Sequence, residues 1–204
     1  MTFLLSALCF LSGSLMFSYW IGLLLNVNIR KTGDGNPGAA NLWKKAGYKF
    51  GLLGIAGDFG KGFLPVWLII KSGAVPSHKA LIPIALAPIA GHAFSPFLKG
   101  NGGKGLAVSF GVWSALTKFR ISLTYAVILA CFYVLAKVVK KGKKTTSSED
   151  SLQTTTGFLL LSLFLIFQKY PRFLLWIWLG NFIILLWKNK KALMRLKKEK
   201  HFTT

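Results

Sequence analysis

Acidic residues are nearly missing from this chain. Five Asp and Glu stand against 26 Lys and Arg, giving a formal net charge of +21 over 204 residues. A soluble domain of this length intersperses acidic residues over its surface. Their shortage, together with a hydrophobic share of 53%, excludes an ordinary soluble globular domain. Cysteine is also scarce. Cys9 and Cys131 both lie inside apolar runs and read as small packing residues, which excludes a disulfide framework. No second histidine or cysteine lies near His92, so no metal site is expected, and no cofactor is implied. A basic n-region is missing from the first residues, and no small-residue cleavage site follows a short apolar core. The N-terminus therefore reads as a retained span. Nucleic-acid binding, the usual alternative for a basic chain, is disfavoured because the cations are not gathered on one polar domain.

What the chain has in quantity is apolar sequence. Runs cover roughly Phe3–Val27, Phe50–Ile70, Ala80–Leu98, Leu106–Leu116, Ile121–Val139, Gly157–Phe167 and Phe173–Trp187. Against a span of ~20 residues, they suggest an all-α integral membrane protein with about seven transmembrane helices. The fourth run fits a half-helix or a tilted segment. Pro83, Pro88 and Pro96 are expected to kink or break the third.

Lysine and arginine placement orients the bundle. An outside N-terminus puts Arg30, Lys31, Lys44, Lys45, Lys49, Lys99, Lys104, the Lys137–Lys144 cluster and the Lys188–Lys200 tail inside. Only Lys71, Lys79, Lys118, Arg120, Lys169 and Arg172 stay outside. The topology is N-out/C-in. Residues 1–200 form a single transmembrane domain, with a polar, mobile cytoplasmic loop at about 140–156.

Two glycine-rich stretches then fall on the cytoplasmic side, at Gly33–Asn41 and Gly91–Gly105. Such loops leave backbone N–H groups free to face an anion. The second lacks the P-loop spacing, and Leu106 stands where Ser or Thr would serve magnesium, so a nucleotide is not expected. Even so, Gly102-Gly103-Lys104-Gly105 opens a helix, where backbone donors and a point cation suit a phosphate. In the second run, Gly47, Gly51, Gly54, Asp58 and Lys61 share one helical face at about 100° per residue. The glycines permit close helix approach. A carboxylate at membrane depth needs a partner, and Lys61, three residues on, is the nearest. The pair is either a structural lock or a means of aiming a lysine at phosphate. His92 is read first as a hydrogen-bonding packing residue at the inner end of the third run.

The order IRKTGDGNPGAAN, GDFGKG, GHAFSPFLKGNGGKG, preceded by Gly13-Ser14 before Phe17 and Tyr19, resembles the bacterial membrane acyl-phosphate:glycerol-3-phosphate acyltransferase (PlsY) family. The resemblance covers about residues 13–112. It implies a seven-span, N-out enzyme of the cell inner (plasma) membrane with a cytoplasmic active face. That enzyme moves a fatty acyl group from acyl phosphate to the 1-hydroxyl of glycerol 3-phosphate, giving lysophosphatidic acid and phosphate. It implies Lys104, Asn36 and Arg30 as catalytic residues. Ser14, Gly35, Gly38, Asn41, Asp58, Lys61, His92, Gly102 and Gly103 would hold substrate or phosphate. Membrane lipids are further partners, and nucleic acid is not one.

The chain departs from the family pattern in places. Asp34 replaces the serine of G-S-G-N, where a carboxylate weakens anion binding unless it points away or pairs with Arg30 or Lys31. Ala40 replaces a threonine and Asn101 a lysine. Asn189 and Ala192 stand where the family's final span carries an active-site His and Asn. Two other readings therefore stay open: a related transferase with a changed acceptor, and a non-catalytic homologue that binds phosphate or lipid.

Overall fold

Backbone N–H and C=O groups find no water in a bilayer core, so an apolar run must satisfy them within itself as a helix or in a closed barrel. The chain takes the helical route. The computed structural model describes the backbone of residues 1–201 and the side chains of residues 1–196. Among them there is no strand. The helices are α1 (Thr2–Ser14), α2 (Phe17–Leu24), α3 (Ala39–Ala46), α4 (Tyr48–Lys71), α5 (Leu81–Ala93), α6 (Leu106–Thr117), α7 (Arg120–Val139), α8 (Ser147–Phe167) and α9 (Arg172–His201), with single 3-10 turns between some of them. Five stretches are long and apolar enough to cross a membrane: Thr2–Leu24, Tyr48–Lys71, His78–Leu98, Arg120–Val139 and Ser147–Phe167. The two remaining apolar runs lie in α6, which has 12 residues, and in α9. Part of the basic tail predicted over Lys188–Lys200 has side chains outside the described residues.

Three expectations change. The first run is not one helix: it breaks at Leu15 and Met16, between α1 and α2. The third run is broken only at its end. Pro83 sits in the first turn of α5, where a missing N–H goes unnoticed, and α5 continues through Pro88 to Ala93. The chain leaves helix before Pro96, which starts a 3-10 turn. The loop expected at 140–156 is loop only as far as Thr146. The Thr146 hydroxyl accepts from the Glu149 N–H, and the Glu149 carboxylate accepts from the Thr146 N–H. This capping box starts α8 ten residues earlier than the apolar pattern does.

The bundle packs α1 on α5, α4 on α6, and α9 on both α5 and α8. Glycine permits the first two contacts. A methyl group at Gly13 would strike the Pro88 backbone and one at Gly91 the Phe10 carbonyl; one at Gly62 would strike Val108 and one at Gly111 the Phe59 carbonyl. The glycine face predicted for α4 holds for Gly51, packed on Trp43, and for Gly54, packed on Ser18. Gly47 does not belong to it: it precedes the helix at φ 89°. The core is aromatic, with Trp113, Tyr125 and Phe158 fully buried. Some buried polar tips there are satisfied, Trp178 donating to the Phe158 carbonyl at 2.8 Å and Ser109 to Asn181 at 3.0 Å, whereas the Trp113 indole N–H and the Asn181 amide nitrogen have no hydrogen-bond partner among the described residues. Leu, Val, Phe and Trp side chains stay exposed on the outer faces of α1, α4, α7, α8 and α9, as lipid contact requires.

The α4–α6 seam is testable by a matched pair. Gly111→Ala puts a methyl group against backbone, whereas Gly60 has nothing within 4 Å. The first substitution should lower stability by about 1–3 kcal/mol through overpacking, and the second should leave it unchanged. Thermal unfolding in detergent reads the difference, and equal behaviour of the two would contradict this packing.

Candidate active site

The loop between α2 and α3 is folded by its own polar side chains. Asn28 accepts from the Arg30 N–H at 3.1 Å and caps a 3-10 turn. Gly33 and Gly35 then take positive φ values of 57° and 74°, open to glycine without strain. This turn points the Asp34 carboxylate inward. Its Oδ1 accepts from the Asn36 N–H at 3.2 Å and from the Asn41 amide at 2.9 Å. Asn41 also donates to the Asn36 carbonyl at 2.9 Å, which ties the loop to the first turn of α3.

The second glycine-rich loop closes on the end of α5. The Gly103 N–H donates to the His92 carbonyl at 3.0 Å, and the His92 ring leaves no room for a side chain at Gly103. Lys104 follows and extends to Asp34 Oδ2 at 2.6 Å. Its ammonium also donates to Ser151 at 2.8 Å and to Ser147 at 3.5 Å. Ser147 in turn donates to Asp34 Oδ2 at 2.7 Å. Burial pushes the Asp34 carboxyl upward, but Lys104, Ser147 and Asn41 outweigh it and hold it well below the ordinary carboxylate range. The carboxylate is ionised at neutral pH, and its partner is Lys104, not the expected Arg30 or Lys31.

A deeper charge cluster lies beneath this pair. Lys61 meets Asp58 at 2.7 Å, their side chains 1% and 4% exposed. Ser18 donates to Asp58 at 3.2 Å, and the His92 ring stands 3.8 Å from the same carboxylate. The Lys61 ammonium also donates to the Leu15 carbonyl, which the break between α1 and α2 sets free. The Ser95 hydroxyl donates to the Ser14 carbonyl at 2.7 Å. Thus the non-helical backbone at this depth is satisfied by protein groups.

Both layers border one cavity of about 720 Å³. Of the residues expected in the site, Asn36, Gly38, Asn41, Asp58, His92 and Lys104 line it. Arg30, Ser14, Gly35, Lys61, Gly102 and Gly103 do not. Arg30 is exposed on its 3-10 turn. Ser14 donates to the Phe10 carbonyl at 2.7 Å, and Lys61 is committed to Asp58 and Leu15. Gly35, Gly102 and Gly103 shape the loops. Of the divergent positions, Asp34, Ala40 and Asn189 line the cavity. Asn101 instead turns back to the Lys99 carbonyl at 3.2 Å. Asn189 is buried, donates to the Leu185 carbonyl at 2.8 Å, and keeps a buried Oδ1 without a partner.

Sequence reasoning missed Lys44 and the α8 wall of Ser147, Asp150, Ser151 and Thr154, all on the cavity surface. The Thr146–Glu149 capping box was the available signal for α8. Lys44 was signalled by its position three residues after Asn41, on the same face of α3. Trp43, Ile55, Phe59, Leu106 and Phe110 add apolar lining to the same cavity. The cavity therefore presents the Lys104 ammonium and the start of α6, suited to an anion, together with apolar surface.

These features define a polytopic helical membrane protein whose cavity combines anion-receptive groups with apolar lining. A family model described as glycerol-3-phosphate acyltransferase matches residues 3–199. The chain belongs to this family and is an acyltransferase. It is 36% identical over 202 residues to glycerol-3-phosphate acyltransferase 1 of Thermotoga maritima, covering 97% of this chain and 98% of that protein. It is 30% identical to the glycerol-3-phosphate acyltransferase of Aquifex aeolicus, covering 92% and 91%. Among solved structures it is similar to PlsY (YgiH), an integral membrane glycerol 3-phosphate acyltransferase. To that protein's glycerol 3-phosphate form it has a TM-score of 0.84 at 28% identity, covering 97% of this chain and 92% of the other. To the lysophosphatidic acid form the TM-score is 0.82 at 27% identity, with the same coverage.

The deep ion pair can be tested by removing half of it. Breaking a buried pair leaves an uncompensated charge and costs about 3–5 kcal/mol. Asp58→Ala should therefore sharply reduce folded yield and unfolding temperature, while Asp58→Ala with Lys61→Met should recover much of the loss. A double variant no better than the single one would contradict a mainly electrostatic coupling.

Proposed function

We propose that this chain transfers a fatty acyl group from acyl phosphate to the 1-hydroxyl of glycerol 3-phosphate at the cytoplasmic face of the cell membrane, in a seven-span, N-out arrangement. The observation that carries the reading is Lys104. It extends from a glycine-rich loop at the start of α6 into a cavity lined both by Asn36 and Asn41 and by apolar side chains. Both substrates carry phosphate, and one also carries a fatty chain, so one cavity with both kinds of lining accommodates them together.

The chemistry asks little beyond this. Phosphate is a good leaving group, so the acyl carbonyl is already activated and needs no enzyme nucleophile. The glycerol oxygen bonds to the acyl carbon, the bond from that carbon to the phosphate oxygen breaks, and the hydroxyl proton leaves with the departing phosphate. The protein aligns the two reactants and stabilises negative charge through Lys104 and the first N–H groups of α6. Asn36 and Asn41 position substrate, and Lys44 adds a second cation. Arg30, exposed on its turn, serves by attracting anions to the mouth. Lys61 acts through Asp58, by holding the floor on which His92 sits.

The pairing of Lys104 with Asp34 favours a second reading, a related transferase whose acceptor is another phosphorylated polyol. Inverted membrane vesicles supplied with acyl phosphate and labelled glycerol 3-phosphate separate the two. Lysophosphatidic acid should form there and not in sealed right-side-out vesicles. Lys104→Ala should lower kcat/KM by about 10²-fold or more, the scale of losing one stabilising donor. Turnover with other phosphorylated polyols alone supports the second reading. No turnover of acyl phosphate with any acceptor sinks both.

A further inference from the structure

The Asp34 carboxylate gathers four donors. Its Oδ2 takes the Lys104 ammonium at 2.6 Å and the Ser147 hydroxyl at 2.7 Å. Its Oδ1 takes the Asn41 amide at 2.9 Å and the Asn36 N–H at 3.2 Å. The donors arrive from the first glycine-rich loop, α3, the second glycine-rich loop and α8. A cation, a hydroxyl, an amide and a backbone N–H converging on two oxygens are what a phosphate monoester requires. Here they converge on a side chain of the protein itself.

The charge distribution agrees. Asp34, Asp58 and Asp150, three of the five acidic residues in the sequence, border this cavity, and among the described residues the lysines bordering it are Lys44 and Lys104. The Lys104 ammonium is already engaged by Asp34 at 2.6 Å and by Ser151 at 2.8 Å, with Ser147 at 3.5 Å. A dianion arriving at this ammonium competes with the carboxylate already there. The two ion pairs differ in which can yield. Lys61 and Asp58 are 1% and 4% exposed, so opening them strands charge in a dry interior. Lys104 and Asp34 are 23% and 16% exposed, and water reaches them.

We propose that Asp34 is an internal counter-anion occupying the seat of the acceptor's phosphate, so that glycerol 3-phosphate binds by exchanging its phosphate for this carboxylate on Lys104, Ser147 and Asn41. This rests on the function proposed above. The exchange makes Asp34 an affinity-setting residue. Apparent affinity falls by the fraction of molecules whose seat is open. In the closed state the carboxylate also joins the two loops to α8 and keeps Lys104 extended into the cavity.

The test titrates detergent-solubilised protein with inorganic phosphate and measures KM for glycerol 3-phosphate, in the parent chain and in Asp34→Ser, Asp34→Asn and Lys104→Ala. Asp34→Ser should bind phosphate about tenfold more tightly and lower KM by a similar factor, the equivalent of a seat closed about nine times in ten. It should move kcat less. Asp34→Asn, which keeps the side chain's shape but gives up its charge, should shift both in the same direction by a smaller factor. Lys104→Ala should weaken both. A raised or unchanged phosphate dissociation constant and KM in Asp34→Ser overturns the proposal, because the carboxylate then supports the bound state or lies apart from it. If Asp34→Ser does not fold, Asp34→Asn decides by the same direction of shift. Phosphate binding needs no turnover. A parent chain that fails to acylate glycerol 3-phosphate therefore counts against the function alone, while the titration still judges the seat.

Discussion

The ammonium of Lys61 sets the constraint on which the site depends. It is almost wholly buried at the side of α4, beside Asp58 at 2.7 Å. A charge so placed must be paired and hydrogen-bonded. Its second partner is the Leu15 carbonyl, which exists as a free acceptor only because α1 stops and α2 starts anew. The pair thus fixes the break in the first span, and the break fixes where Ser14 meets Ser95 and where Ser18 meets Asp58. His92 rests against the same carboxylate and receives the second glycine-rich loop on its backbone and ring. Remove the pair, and the loop carrying Lys104 loses its footing.

Two ion pairs of like composition therefore do different work. The lower one is dry and joins helices, and a group joined so tightly has no freedom to meet a ligand. The upper one, Lys104 with Asp34, is partly wet and joins loops. Electrostatics at the upper level can be exchanged, because water and an incoming anion share the cost of separating the charges. Catalysis by a family that handles two phosphates needs such an exchangeable cation more than it needs a nucleophile. The apolar lining from α3, α4 and α6 supplies the other requirement, a place for the fatty chain in the same cavity.

Much of this was legible in the sequence, for physical reasons that can be named. Asp58 and Lys61 stand three apart in an apolar run, and helical geometry makes them neighbours. The two glycine-rich stretches read as anion-facing loops because few other uses of that composition fit beside a span. The partner of Asp34 was not legible. Arg30 and Lys31 are close in sequence, but the turn at Gly33 and Gly35 aims the carboxylate away from them, toward Lys104 and a serine 113 positions distant. The target of Lys61 was hidden as well, since a freed carbonyl leaves no trace in composition. Residues 140–156 read as a linker by their Lys, Ser and Thr content. A four-residue capping box overrides that composition and turns Ser147 and Ser151 into a wall of the site. The role of Lys104 as the point where the loops meet, and the sharing of one cavity by Asn36, Asn41, His92 and Lys104, follow from the fold and not from any single motif.

The central claim is that Lys104 is the seat of the acceptor's phosphate. The most direct measurement is an experimental structure of this protein with glycerol 3-phosphate bound. The phosphate should lie within hydrogen-bonding distance of Lys104, Ser147 and Asn41, with the Asp34 carboxylate displaced from the ammonium. A phosphate held elsewhere, with the Lys104–Asp34 contact still at 2.6 Å, would contradict the account.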